Sequence, residues 1–288
     1  MRRLIAMLAL SLIAAGPAAK PIAPGTLVAW TQDDGVRSWT SGGVTATLSA
    51  RGSGDEGTPA LTVSAPGMKP LVIADGEGMA RYASQVGIGP LTSGGKPGVL
   101  LETYSGGAHC CVDVVAVVAQ DGVWRKVDLG SWDGDAVDWP KDISGDGVAD
   151  FVFVDNAFLY AFASYADSMA PPLVMNIRGL KPVDVSTDPA FRKLYEADLA
   201  STRKVCLDRS NDYNNGACAA YAADAARLGK LSGAWPEILR SYNRAGTGWP
   251  DGCRVAAGNA GCPKPAVIHY RTYPEALTAF LKANGYSR

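Results

Sequence analysis

Residues 112–127 read Val-Asp-Val-Val-Ala-Val-Val-Ala-Gln-Asp-Gly-Val-Trp-Arg-Lys-Val. Two apolar, β-branched runs meet at Asp121-Gly122, a dipeptide that favours the left-handed turn of a two-residue hairpin. Similar runs recur on both sides: Gly25–Trp30, Val36–Trp39, Val44–Leu48, Leu61–Val63 and Val99–Tyr104 before it. Phe151–Val154, Leu173–Ile177 and Val183–Val185 follow it. Asp33-Asp34-Gly35 reads as another hairpin turn, and 52–57 as the turn between two alternating strands. Strands this dense, with no helices between them, predict an antiparallel sandwich or propeller-like sheets rather than a parallel α/β fold. The spacing also admits a short helix within 76–89. Gly87-Ile-Gly89 begins like a dinucleotide fingerprint, lacks the third glycine, and reads as a loop.

After Ser186 the apolar period becomes helical. Asp188-Pro189 reads as an N-cap and first helical residue, with Phe191, Leu194, Tyr195 and Leu199 on one face. Cys218, Tyr221, Ala222, Ala225 and Leu228 define a second helix, stopped by Gly229. Residues 235–242 suggest a third. Thr272-Tyr-Pro-Glu275 is a capping box for a last helix stopped by Gly285. The fold class is therefore α+β: a β-rich domain over 25–186, followed by a helical C-terminal unit over 187–288.

The N-terminus supplies a compartment. Met1-Arg2-Arg3 precedes an apolar run from Leu4 to Ala15, too short to span a bilayer. With the small residues Gly16-Pro17-Ala18 it has the proportions of a signal peptide, residues 1–18, cleaved after Ala18. No later stretch is apolar enough to cross a membrane, so the expected product is exported, periplasmic or secreted, and not membrane-embedded. The formal charge of −1 becomes about −3 without Arg2 and Arg3, and no basic block occurs, which argues against nucleic acid as a partner. Six cysteines form an even set suited to an oxidising compartment. Local bridges Cys206–Cys218 and Cys253–Cys262 are the first expectation. Cys110 and Cys111 either bridge each other or pair elsewhere.

The most specific motif is Asp142-Ile-Ser144-Gly-Asp146-Gly147-Val148-Ala-Asp150. Calcium takes six to eight oxygens, and a tight loop with oxygen donors at alternate positions can wrap them around one point. The segment resembles the calcium loop of FG-GAP and VCBS-type repeats of integrin-like β-propellers, where an Asp-rich loop leads into an apolar strand. The resemblance covers Asp142 to about Asp155. It implies calcium as cofactor, with Asp142, Ser144, Asp146 and Asp150 as ligands and the Val148 carbonyl completing the set. Position 3 is Ser144 rather than Asp or Asn, and the motif occurs once. An affinity of order 10⁻⁴–10⁻³ M, as in extracellular modules, is expected. The alternative is a turn whose carboxylates cap backbone groups. Residues 133–138, with three aspartates, lie just upstream and read first as a solvated hairpin end, with a lent ligand as the alternative.

Ser105-Gly-Gly-Ala-His109-Cys110-Cys111 gathers one of two histidines with two thiols. It resembles stretches in uncharacterised exported bacterial proteins that imply no activity. Structural roles are favoured over a soft-metal site or a nucleophile. G-x-S-x-G, H-E-x-x-H and P-loop motifs are absent. The reading that results is an exported binding or structural protein with a calcium-stabilised β-domain, its partner an envelope protein or glycan. Phe158, Tyr160, Phe162 and Tyr165 offer a patch for it, or core. The alternative is an envelope-polymer hydrolase using His109 or a carboxylate pair such as Glu102 and Asp113. A third reading is an inhibitor or redox protein acting through Cys110-Cys111.

Overall fold

The computed structural model describes residues 18–52, 54–108, 110–133, 137–255 and 261–287. The expected leader and His109 lie outside the described residues, apart from Ala18 at the leader's end. Strands run in chain order as β1 (Lys20–Pro21), β2 (Leu27–Trp30), β3 (Arg37–Ser41), β4 (Val44–Arg51), β5 (Thr58–Ser64), β6 (Leu71–Ile73) and β7 (Ser84–Gly89). They continue as β8 (Gly98–Tyr104), β9 (Val112–Gln120), β10 (Val123–Trp132), β11 (Phe151–Val154), β12 (Pro172–Arg178) and β13 (Lys181–Asp184). The helices are α1 (Arg192–Cys206), α2 (Asn215–Arg227), α3 (Leu231–Ser241) and α4 (Tyr273–Ala283), with a short pair β14 (Gly252–Cys253) and β15 (Val267–Ile268) before the last. No helix among the described residues is long and apolar enough to cross a membrane.

Two five-stranded sheets, ordered β1-β3-β4-β5-β6 and β10-β9-β8-β7-β2, pack face to face. Trp30, Trp39, Leu48, Leu61, Ile88 and Leu101 fill the space between them. The other face of the second sheet is also covered. Leu100, Val114, Ala116 and Val118 pack against Phe151, Phe153 and Ile177 of a third sheet, β11-β12-β13. Because side chains alternate along a strand, a sheet buried on both faces needs apolar residues at every position. That is why 112–118 reads as a nearly unbroken apolar run. The hairpin at Asp121-Gly122 joins β9 to β10 with antiparallel register.

Three sequence expectations change. Asp33-Asp34-Gly35 does not close a hairpin: β2 pairs with β7, whereas β3 pairs with β1 and β4. The segment is a 3₁₀ turn opened by Thr31, which carries the chain from one sheet to the other. Residues 84–89 form β7 rather than part of a helix, and Gly87-Ile-Gly89 is strand rather than loop. The Trp139 ring lies on this strand, and a Cβ on Gly87 or Gly89 would come within 2.8 Å of it. The aromatic patch divides, since Phe158 and Phe162 are buried while Tyr160 is 55% exposed.

Around α2 a separate core forms. Every residue from Asn215 to Ala225 is buried, as a helix surrounded on all sides requires. Its alanines let α1 approach closely, and the Cys206–Cys218 disulfide ties the two helices. Phe158 and Phe162, from the β11–β12 connection, pack edge-on against Phe280 of α4. The Tyr286 hydroxyl donates to Asp155 at 2.8 Å. The connection 155–171 therefore packs with the helices, although it precedes them in the chain.

Phe158→Ala should cost about 3–5 kcal/mol in denaturant unfolding, the usual toll of emptying an aromatic site. Val72→Ala, at an exposed position, should stay within about 0.5 kcal/mol. Equal effects of the two changes would mean that the aromatic plug does not hold the helices to the strands.

Candidate functional site

Asp142, the first residue of the acidic loop, organises its turn. Its Oδ1 accepts the Gly145 and Asp146 amides at 2.6 and 3.1 Å, and its Oδ2 accepts that of Gly147 at 2.9 Å. Asp146 Oδ1 accepts the Val148 amide at 2.8 Å, while its Oδ2 lies 3.8 Å from Arg178. The Ser144 hydroxyl sits 3.5 Å from Asp142 Oδ1. Asp150 is buried at 1% exposure. Its Oδ2 accepts from the Ile143 and Ser144 amides, and its Oδ1 accepts from Asn176 Nδ2 at 2.6 Å. Asp142 and Asp150 thus serve the backbone first. The donors are hard oxygens of the type calcium takes, and each carboxylate retains spare lone pairs. The three carboxylates are not gathered around one point. Among the described residues, the ligand-type atoms that do converge are those of Cys110, Cys111 and Asp133, but the two sulfurs are bonded to each other and offer no thiolate.

Cys110 and Cys111 are joined in a disulfide, as are Cys253 and Cys262. Ser105 and Cys111 close this loop, the Ser105 amide donating to the Cys111 carbonyl at 3.0 Å and the Cys111 amide to Ser105 Oγ at 2.8 Å. Tyr104 donates to the Gly107 carbonyl across the same loop. Cys111 Sγ lies 3.8 Å from Asp133 Oδ1. The cysteine segment and the acidic loop therefore meet the rim of one cavity of about 620 Å³. Its walls include Trp132, Asp133, Trp139, Asp150, Phe153 and Asp198.

Glu102 and Asp113 do not form a catalytic pair. Glu102 stands opposite Val114, and Asp113 opposite Thr103, so the pleat sends the two carboxylates to opposite faces of the sheet. Glu102 is 2% exposed and accepts the Val137 amide at 3.1 Å through Oε2. Burial pushes its pKa up to about 7, with the Asp138 charge adding to the shift.

A second acid pair escaped the sequence reading. Asp198 of α1 and Asp224 of α2 meet where the helices pack, and Thr202 donates to Asp224 Oδ2 at 2.9 Å. Asp224 is fully buried. Burial, reinforced by the neighbouring Asp198 charge, pushes it up to about 9, and burial raises Asp198 as well. Two carboxyls packed this closely between helices resist ionising together, so the pair keeps a proton to higher pH than a lone aspartate does. The available signal was a single acid inside the alanine run 217–226, with Asp198 and Thr202 one turn apart on the facing helix.

Residues 195–285, which hold this pair and all of α2 to α4, match the family model described as the sll0997 C-terminal domain. The chain is 35% identical over 194 residues to a probable thylakoid lumen protein, sll0997, of Synechocystis sp. (strain ATCC 27184 / PCC 6803 / Kazusa), a match covering 66% of this chain and 56% of that protein. It is 31% identical over 193 residues to the uncharacterized protein y4bJ of Sinorhizobium fredii (strain NBRC 101917 / NGR234), covering 66% of this chain and 30% of that one. The chain thus spans less than two thirds of either relative. No solved structure matches it.

The retained proton carries a sign. Asp224 ionises near 3.8 when unfolded and near 9 when folded. As pH rises through that window the unfolded chain releases a proton that the folded chain keeps, so stability falls. Asp224→Asn should therefore melt above the parent at pH 8, with the gap closing toward pH 4. A variant that melts below the parent at both pH values would show that the pair does not hold this proton. At the loop, Asp150→Ala strands three donors and should cost about 2–4 kcal/mol without added metal, against less than about 1 kcal/mol for Asp146→Ala.

Proposed function

We propose that this protein is exported and works outside the cytoplasm as a binding or structural module with a calcium-stabilised β-domain. The observation that carries the compartment is the pairing of all six cysteines into three disulfides with none left free, since such bonds persist in oxidising surroundings. The leader read from residues 1–18 and the thylakoid lumen location in the name of the Synechocystis relative both support it. The cavity beside the acidic loop, with two tryptophans and several carboxylates in its walls, suits an envelope protein or glycan as partner.

Calcium is the finer part of the reading. Asp142 winds the loop with three backbone amides, leaving the Val148 carbonyl, the Ser144 hydroxyl and Asp146 as further oxygen donors. Gathering them around an ion requires Asp146 to give up Arg178, in keeping with weak affinity.

Fractionation and intact mass test the compartment. The expected product begins after Ala18, is six hydrogens lighter than the reduced chain and resists alkylation. Recovery from the cytoplasm with the leader retained and thiols reactive would overturn it. Melting with and without 10 mM calcium tests the ion. A Kd of about 10⁻⁴–10⁻³ M predicts about 1.4–2.7 kcal/mol of stabilisation, lost in Asp146→Ala. An unchanged melt would remove calcium and leave export standing.

A further inference from the structure

A second cleft, of about 500 Å³, opens in the helical unit between the loop after α3 and residues 269–273. The loop is fixed from beneath. Asn214 and Asn215, 2% and 4% exposed, both accept the Asn243 amide through their side-chain oxygens, at 3.1 and 2.8 Å. Asn215 Nδ2 returns a bond to the Asn243 carbonyl at 3.1 Å. The Ala245 amide donates to Asn243 Oδ1 at 2.8 Å. Gly246 passes so close that a Cβ there would lie 2.6 Å from Asn215 Nδ2. A surface loop rarely receives so much buried amide bonding unless its shape matters.

What this rigid loop presents is a row of donors. The amides of Thr247, Gly248 and Trp249 have no hydrogen-bond acceptor among the described residues. Gly248 has φ +84°, and successive N–H groups around a left-handed residue make an anion-binding concavity. Two arginines, Arg244 and Arg271, line the same cleft. Arg244 donates to the Leu239 carbonyl at 3.2 Å and lies 5.4 Å from the Tyr242 ring centroid. The Arg271 side chain has no ion-pair partner among the described residues. His269 Nδ1 sits 2.8 Å from Asp251 Oδ1, and its Nε2 has no partner among the described residues. Trp249 packs edge-on against the buried Tyr273, so its position is set.

We propose that this cleft is an oxyanion-binding site. It takes the carboxylate or phosphate group of a small ligand, held by the amides of residues 247–249 and the guanidiniums of Arg244 and Arg271, with Trp249 against the ligand's body. The site is independent of the calcium loop and of the export reading, and it lies inside the segment that matches the family model.

Calorimetric titration of the whole chain at constant ionic strength, with inorganic phosphate, glucuronate, glucose 6-phosphate and glucose as probes, tests the assignment. The expected result is saturable one-to-one binding of at least one of the three anions and none of glucose. The double variant Arg244→Gln/Arg271→Gln should weaken that binding at least tenfold. Phosphate binding without glucuronate would identify a phosphate or phosphomonoester, and the reverse a carboxylated sugar; both outcomes support the site. Amide shifts of residues 247–249 on titration, read by NMR in the unsubstituted protein, give a check that needs no variant. Failure of all three anions to bind, glucose binding as tightly as they do, or unchanged affinity in the double variant would overturn the proposal.

Discussion

The rest of this structure depends on the burial of one sheet from both sides. Strands β7 to β10 carry apolar residues toward two different partners, one a complete sheet and the other a three-stranded sheet reached only after β10. A hydrophobic strand covered on one face would expose the other, at about 25 cal/mol for each Å² of apolar surface left in water. The chain therefore has to return with β11 and β12 before the domain is closed. The acidic loop lies immediately ahead of β11, and its placement follows from that return. Asp150 ends the loop, immediately precedes β11 of the third sheet and bonds Asn176 on the neighbouring strand. One carboxylate thus fixes both the turn and the register of the strands that cover the central sheet.

The helical unit solves the same problem with different means. Its central helix is buried by small side chains, which allow close contact but supply little apolar area each. The surrounding aromatics, Phe158, Phe162, Tyr273 and Phe280, supply that area instead. Edge-on contacts among aromatic rings add directional preference to burial. Two of these rings come from the connection between strands of the third sheet. The helical unit therefore completes its core with residues from the preceding domain, and the boundary at Ser186 is one of chain order rather than of packing.

Much of this was legible in the sequence because it rests on local rules. The run 112–118, the Asp121-Gly122 turn and the capping box at Thr272 each specify their element within a few residues. Residues 84–89 were not legible, because their strand is made by pairing with β2 and β8, and the two glycines that weaken its local signal lie under Trp139, which arrives fifty residues later. The Asp33-Asp34-Gly35 turn carries a hairpin's composition, yet its flanking strands find partners in different sheets. Pairing between distant segments leaves no mark in the turn. At the level of sites, both the oxygen donors of the acidic loop and the capping of backbone amides by its carboxylates were open readings of the spacing, but which amides each carboxylate takes, and the bond from Asn176 to Asp150, could not be read. Asp198 and Asp224 are 26 positions apart and meet only because α1 packs on α2. The cleft near Trp249 depends on amides, which every residue has, so only the folded loop reveals which of them are left over.

The polar groups that the fold buries differ in what they return. Asp150 and the Asn214–Asn215 pair are satisfied by several donors or acceptors each, and each fixes a loop that would otherwise have many conformations. Their desolvation is offset by those bonds. Asp224 is different, since its one donor outside the pair is Thr202 and it must keep a proton to stay buried. An apolar residue of similar volume would satisfy the α1–α2 contact at lower cost, as buried ionic groups in other proteins show. A helix contact built for stability alone would not choose two acids. Packing alone does not account for them: burial raises both acids, and because Asp198 lines the cavity while Asp224 lies behind it, the pair sets a hard-to-ionise acid beside that wall.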